Sequence, residues 1–134
     1  MTLIVCLDNG HGMLFNHRRQ SRDARVCERI LEITAGNKLI MNAYSSKLFS
    51  GSACVVAEEI FCADERDAFV FAESEVPIAF LRCVDRLIIY RWNRYYPSDV
   101  QFPFKTVIQM FHKESSCEFA GNSHEVITEE VYVR

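Results

Sequence analysis

Apolar positions gather into short runs separated by turn-forming or charged residues, and the spacing within each run predicts an element. "TLIVCLD" (residues 2–8) is a continuous apolar run closed by Asn9-Gly10 and Gly12, which reads as a buried strand followed by a loop. The period then lengthens. Val26, Ile30 and Ile33, with Cys27 and Leu31, form a helical stripe from about Arg22 to Thr34, with Ser21 as N-cap and Gly36 suiting the C-terminus. "KLIMNAY" (38–44) reads as a second buried strand, after which Ser45 and Ser46 open a turn or short helix. A short helix fits "CVVAEEIFCA" (54–63), a strand fits "DAFVFAE" (67–73), and Pro77 permits a helical first turn across "VPIAFLRC" (76–83).

"DRLIIYRWNRYY" (85–96) is the longest strand candidate, rich in β-branched and aromatic residues. Alternation puts Leu87, Ile89, Arg91, Asn93 and Tyr95 on one face and Ile88, Tyr90, Trp92 and Arg94 on the other, so both faces turn polar and aromatic toward one end. After turn signals at Pro97, Ser98 and Pro103, two strands fit "KTVIQMFHK" (105–113) and "HEVITEEVYVR" (124–134), joined around Gly121-Asn122. Strands alternating with helices, then a strand-rich tail, predict one α/β domain over 1–134: a central mixed sheet flanked by a few helices and closed by an antiparallel hairpin.

A chain of 134 residues, 49% of them hydrophobic, can bury one proper core. The net charge of −3 argues against general nucleic-acid binding, so any basic site is local. No apolar stretch is long enough for a membrane span. The six cysteines form no C-x-x-C pair, the four histidines show no ligand spacing, and the apolar start is too short for a secretory core. Reduced thiols in a cytoplasmic protein, with no metal or cofactor, are expected.

The local basic site is "FNHRRQSRD" (15–23). Arg18, Arg19, Arg22 and Arg25 crowd the start of the predicted helix, where the dipole disfavours cations by ~0.3–1 kcal/mol each, so an anion is called for. Guanidinium and backbone N–H groups there, with Phe15 and Asn16 ahead of them, suit a phosphate. The plainer reading pairs the arginines with Asp23, Glu28 and Glu32. Arg91 and Asn93 are placed to reach a phosphate or base edge and Trp92 to stack on a base, provided theirs is the carboxyl end of the strand; the same residues suit a subunit interface. Asn42, Tyr44 and Ser45 follow the second strand beside the first helix, with Ser45 also a cap. His124 next to Glu125 is an acid/base candidate read mainly as hairpin surface, and His11 is a loop residue within reach of a ligand. Cys6 and Cys27 read as core.

The order of elements resembles that of dihydrofolate reductase. "DAFVFAESEVPIAFLRCVDRLIIYRW" resembles the family's strand, glycine turn, helix and strand; "KLIMNAYSSKLF" its strand and phosphate turn; "YYPSDVQFP" its Asp-Thr-x-Phe-Pro segment; and "EFAGNSHEVITEEVYV" its final hairpin. The resemblance implies that fold and an NADPH-dependent reduction of a pterin-like substrate. Here, however, Ala72, Glu73 and Ser74 replace the glycines that admit the cofactor diphosphate, Asn42 replaces the glycine of the phosphate turn, and "FNHRRQS" replaces the Pro-Trp pair. Asp23 or Glu28 stands for the substrate carboxylate. A second likeness runs through "GMLFNHRRQSRD", "MNAYS", "YRWNR" and "NSHEVITEEVY", which resemble segments of small clostridial and phage proteins. Some of these resemble the phage Thoeris anti-defence sponges, which bind cyclic ADP-ribose signals without hydrolysing them.

Three functions are in view: a homo-oligomeric protein that binds a phosphate-containing nucleotide without turnover, a divergent reductase, and an oligomeric interaction protein without a small ligand. The arginines favour the first over the third, and the missing glycines lower the second.

Overall fold

The computed structural model describes residues 1–49, 54–62 and 64–134. The apolar run at the start is strand β1 (Thr2–Leu7), central in a seven-stranded sheet. Beside it, β6 (Phe69–Phe71) and β7 (Arg86–Arg91) run parallel to it; β4 (Leu39–Met41) and the edge strand β5 (Val55–Val56) continue the parallel half. On the other side β10 (Ile127–Val133) pairs antiparallel with β7, and β9 (His112–Phe119) with β10. The order is β5-β4-β6-β1-β7-β10-β9. The α/β class and the closing hairpin therefore stand as predicted.

Alternation along the strands builds two cores. Leu3, Val5, Leu7, Leu87 and Ile89 face α3 (Ile78–Leu81) and α4 (Phe104–Met110), through Phe80, Leu81 and Val107. Ile4, Phe71, Ile88 and Tyr90 face α1 (Ala24–Thr34), whose Val26 and Ile30 are fully buried. Arg29 binds the Glu129 carboxylate through Nε (2.9 Å) and Nη2 (3.2 Å), and buried Tyr90 donates to the same carboxylate at 2.7 Å, so one acid clamps α1 onto the sheet.

Several boundaries differ from the sequence reading. The segment predicted as one strand over 38–44 stops at Met41, and α2 (Ala43–Ser46) follows, capped by Asn42, whose side chain accepts from the Ser45 N–H at 2.8 Å. The helix predicted over 54–63 is instead β5 and a 3-10 turn at Ile60–Cys62; Ala63 lies outside the described residues. The strand predicted over 85–96 ends at Arg91, two residues before Asn93 takes the left-handed conformation (φ 60°). The strand predicted at 105–113 is mostly α4, because Phe104, Val107 and Phe111 reach the core at helical spacing; its place in the hairpin belongs to β9.

The segment "GMLFNHRR" is no loose approach to a helix. β2 (Gly12–Phe15) and β3 (Arg18–Arg19) form a hairpin, joined by Asn16 (φ 53°) and His17 (φ 63°). Two central residues with positive φ are the mark of the tight type I′ turn. β8 (Val100–Gln101) pairs on the other side of β2, making a small second sheet at the carboxyl edge of the large one.

Helix α1 starts at Ala24, and its N-cap is Asp23 rather than Ser21. Asp23 is buried. Its carboxylate accepts from the N–H groups of Arg25 (2.9 Å), Asn122 (2.9 Å) and Ser123 (2.8 Å), and pairs with His124 Nδ1 at 3.0 Å. Burial alone would raise its pKa, but the donors outweigh burial and hold it well below the usual carboxylate range. A folded pKa below the unfolded one means stability that is complete above the ordinary value of ~3.9 and is lost as pH falls through the folded value. Asp23→Asn should therefore cost on the order of 2–3 kcal/mol at pH 7 and flatten the acid limb of urea unfolding measured from pH 6 to pH 2. An acid limb as steep as that of the unmodified chain would contradict the assignment.

Candidate functional site

The carboxyl ends of β1, β4, β6 and β7 meet beneath the β2–β3 hairpin, and the buried acids at that edge include Asp8, Asp23 and Glu73. Asp8 follows β1 directly. Its Oδ1 accepts from the N–H groups of Gly10 (2.9 Å) and Gly12 (2.8 Å), and its Oδ2 from Gln20 Nε2 (3.1 Å) and the Tyr96 N–H (3.0 Å). One carboxylate thus ties the first loop, the hairpin exit and the segment after β7 together. A Cβ at Gly12 would lie 2.7 Å from Ser98 Cβ, so the close approach of the start of β2 to Ser98 calls for glycine.

Glu73 takes Arg19. Nε donates to Oε2 at 2.7 Å and Nη2 to Oε1 at 2.9 Å, while buried Ser45 donates to the same Oε1 at 2.8 Å. The guanidinium also lies 4.1 Å over the Tyr44 ring. Both Arg19 and Glu73 side chains are largely buried, so the pair neutralises itself inside the protein.

The other candidate residues divide in the same way. Arg25, in the first turn of α1, pairs at the surface with Glu28 (3.5 Å) and Glu32 (3.2 Å). Arg91 binds Glu130 (3.0 Å), contacts His11 Nδ1 (2.9 Å) and lies 5.0 Å over Phe104, so it faces inward. His11 is stacked on Phe104 at 4.2 Å, and burial, then the Arg91 charge, lowers its pKa. β7 does end at the carboxyl edge, but Trp92 is buried against the His124 ring (4.7 Å, 20°), and the Asn93 amide donates to the Val126 carbonyl and to Thr128. Phe15 and Asn16 sit at the tip of the hairpin, where the Asn16 N–H donates to Asp99. Asn42 and Ser45 serve α2 and Glu73.

What remains converges. Arg18, Arg22 and Tyr44, with Arg19, Ser21, Ala24, Asn122 and Ser123, line an open cleft of ≈ 690 Å³ between the hairpin, the start of α1 and the β9–β10 loop. Arg18 and Arg22 are exposed and have no carboxylate partner among the described residues. Arg22 also borders a groove of ≈ 380 Å³ that runs along α1 past Cys27 and Leu31 to Lys47. Below the cleft, the space enclosed by Cys6, Val26, Ile30, Phe71, Glu73 and Trp92 is only ≈ 10 Å³, about one water. Burial, then the Glu73 and Asp23 charges, pushes the Cys27 thiol up to about 11. Among the described residues no three His, Cys, Asp or Glu side chains converge as metal ligands.

His124, read from sequence as hairpin surface, is instead buried, held by Asp23 and by the hydroxyls of Ser21 and Tyr96. The roles of Asp8, Glu73 and Tyr96 escaped sequence reasoning. The only local signal was at Asp8, an acid just before Asn9-Gly10, the chemistry of a side chain that bonds its own turn.

No protein-family model and no curated protein matches the sequence. Among solved structures, a dihydrofolate reductase from Enterococcus faecalis complexed with NADP(H) and RAB-propyl is similar over 99% of this chain and 95% of that chain, with a TM-score of 0.72 and 13% identity. The chain has the dihydrofolate reductase-like fold. At that identity the likeness concerns the fold alone.

Removing one partner of a buried ion pair strands the other charge. Arg19→Ala should therefore lower unfolding free energy by about 3–5 kcal/mol, and adding Glu73→Gln should recover part of the loss. Equal urea midpoints for Arg19→Ala and the unmodified chain would show that the pair carries no structural weight.

Proposed function

We propose that this chain is a binding protein for a phosphate-containing nucleotide, held in the cleft of Arg18, Arg22 and Tyr44, and that it sequesters a cyclic ADP-ribose or cyclic nucleotide signal without turning it over. The observation that carries the reading is the pair of exposed arginines that have no carboxylate partner among the described residues, beside an exposed tyrosine, in a concavity of ligand size. The guanidinium groups suit phosphate oxygens, and the Tyr44 ring offers a face for a base. The resemblance to the sponge proteins supplies the choice of a cyclic signal.

The reductase reading finds less support. Glu73 sets a carboxylate where the family's glycines would admit a diphosphate, and the enclosed space between Asp23, Phe71 and Trp92, at ≈ 10 Å³, is too small for a pterin ring. Self-association belongs to the same proposal.

Thermal unfolding with cyclic ADP-ribose isomers, cyclic dinucleotides, ADP-ribose, NADPH and dihydrofolate tests the reading. A ligand at ~100 times its dissociation constant stabilises by ~2.7 kcal/mol, a shift of several degrees. A cyclic nucleotide should give that shift, and Arg18→Ala and Arg22→Ala should each weaken binding roughly ten- to hundredfold, the scale of one lost charged hydrogen bond. Affinity unchanged in both variants, or NADPH oxidation with dihydrofolate, would overturn it.

A further inference from the structure

The hairpin exit, the start of α1 and the β9–β10 loop bring a hydroxyl, an imidazole and a carboxylate into line. Ser21 Oγ lies 3.1 Å from His124 Nε2, and His124 Nδ1 lies 3.0 Å from Asp23 Oδ2. An ionised carboxylate only accepts hydrogen bonds, so Nδ1 is the ring nitrogen that donates to Asp23, and Nε2 is the one that faces the Ser21 hydroxyl. The Trp92 indole, stacked at 4.7 Å, fixes the plane of the ring. Tyr96 Oη, 3.1 Å from Nε2 and 3.4 Å from Ser21 Oγ, completes the cluster. Ser21 borders the cleft of Arg18 and Arg22, whereas His124 and Asp23 are buried behind it. Nucleophile, base and orienting acid within hydrogen-bond reach, with the nucleophile of the three opening on the arginine cleft, is the geometry of an activated serine.

We propose that Ser21 is the nucleophile of an esterase acting on carboxylic esters of phosphate-bearing alcohols, with His124 as general base and Asp23 as the residue that positions it. The choice of substrate rests on the cleft reading above, since Arg18 and Arg22 are what would hold the phosphate. Ser21 Oγ bonds to the ester carbonyl carbon while its proton passes to His124 Nε2, and the carbonyl π pair moves onto oxygen. Collapse of this adduct breaks the bond to the alcohol oxygen, which leaves with the proton from His124. Water then attacks the acyl-serine, giving its proton to His124, and Ser21 regains that proton as the carboxylic acid departs. Ester and water become acid and alcohol, with no change of oxidation state. A cyclic nucleotide without a carboxylic ester is not a substrate for this step, so sequestration of one ligand and cleavage of another can share the cleft.

The test uses the full chain and two neutral probes, a fluorophosphonate read by peptide mass mapping and p-nitrophenyl acetate read by nitrophenolate release. The expected result is a single adduct on Ser21, absent in Ser21→Ala, with ester hydrolysis falling roughly a hundredfold or more in Ser21→Ala and in His124→Gln. His124→Gln alters a packed ring, so Ser21→Ala, which removes one oxygen, decides the matter, assayed below its own thermal midpoint. No adduct on Ser21, or ester hydrolysis unchanged in Ser21→Ala, overturns the proposal. Because neither probe carries a phosphate monoester or a nucleotide, labelled Ser21 without any nucleotide-induced shift sinks the binding reading alone. A nucleotide-induced shift without label sinks the nucleophile alone.

Discussion

The Asp23 carboxylate holds together parts of the chain about a hundred residues apart, and the cleft depends on it. It caps α1, anchors the N–H groups of Asn122 and Ser123, and orients His124. Gly121 lets the loop close on it, since a Cβ there would lie 2.6 Å from Asp23 Oδ2. The crowding of arginines at a helix N-terminus calls for an anion, and part of the answer is this internal one. It satisfies one orphan N–H of the first turn, that of Arg25, and places a negative charge beside the nearby cations.

The same logic governs the rest of the carboxyl edge. Glu73 takes Arg19, Glu130 takes Arg91, Glu129 takes Arg29, and Asp8 collects four donors from three segments. Buried pairs of this kind contribute little net stability as pairs, yet leaving one member unpaired is expensive. Under the proposed function, with these cations committed to internal acids, Arg18 and Arg22 at the outer cleft are the ones that would meet a phosphate.

Much of the fold was legible because it lies in local periodicity: the buried run of β1, the stripe of α1, and the alternation of β7 that sends Leu87 and Ile89 to one core and Ile88 and Tyr90 to the other. The failures came where β-branched composition and helical spacing disagreed, as in 105–111, where Val107 and Ile108 suggested a strand but only the helical positions are buried. Ser21 and Asp23 are both good N-caps, and the bonds to Asn122 and Ser123, invisible from sequence, chose between them. Arg18, Arg22 and Tyr44 were named from sequence and do share the cleft. Arg19 and Arg91 were named for the same cationic chemistry, but partners 54 and 39 residues away had already taken them. The alignment of Ser21, His124 and Asp23 joins two ends of the chain and leaves no spacing to read.

Amide and indole NMR shifts of labelled protein, followed during titration with the nucleotide that stabilises it most, would locate the ligand directly. Binding at the outer cleft predicts the largest changes at Arg18, Ser21, Arg22, Tyr44 and Asn122, with Ile30, Phe71 and Ala72 undisturbed. Changes centred on Ile30, Phe71 and Ala72 would mean that the interior opens to admit the ligand, and would contradict a site defined by what the internal ion pairs leave free.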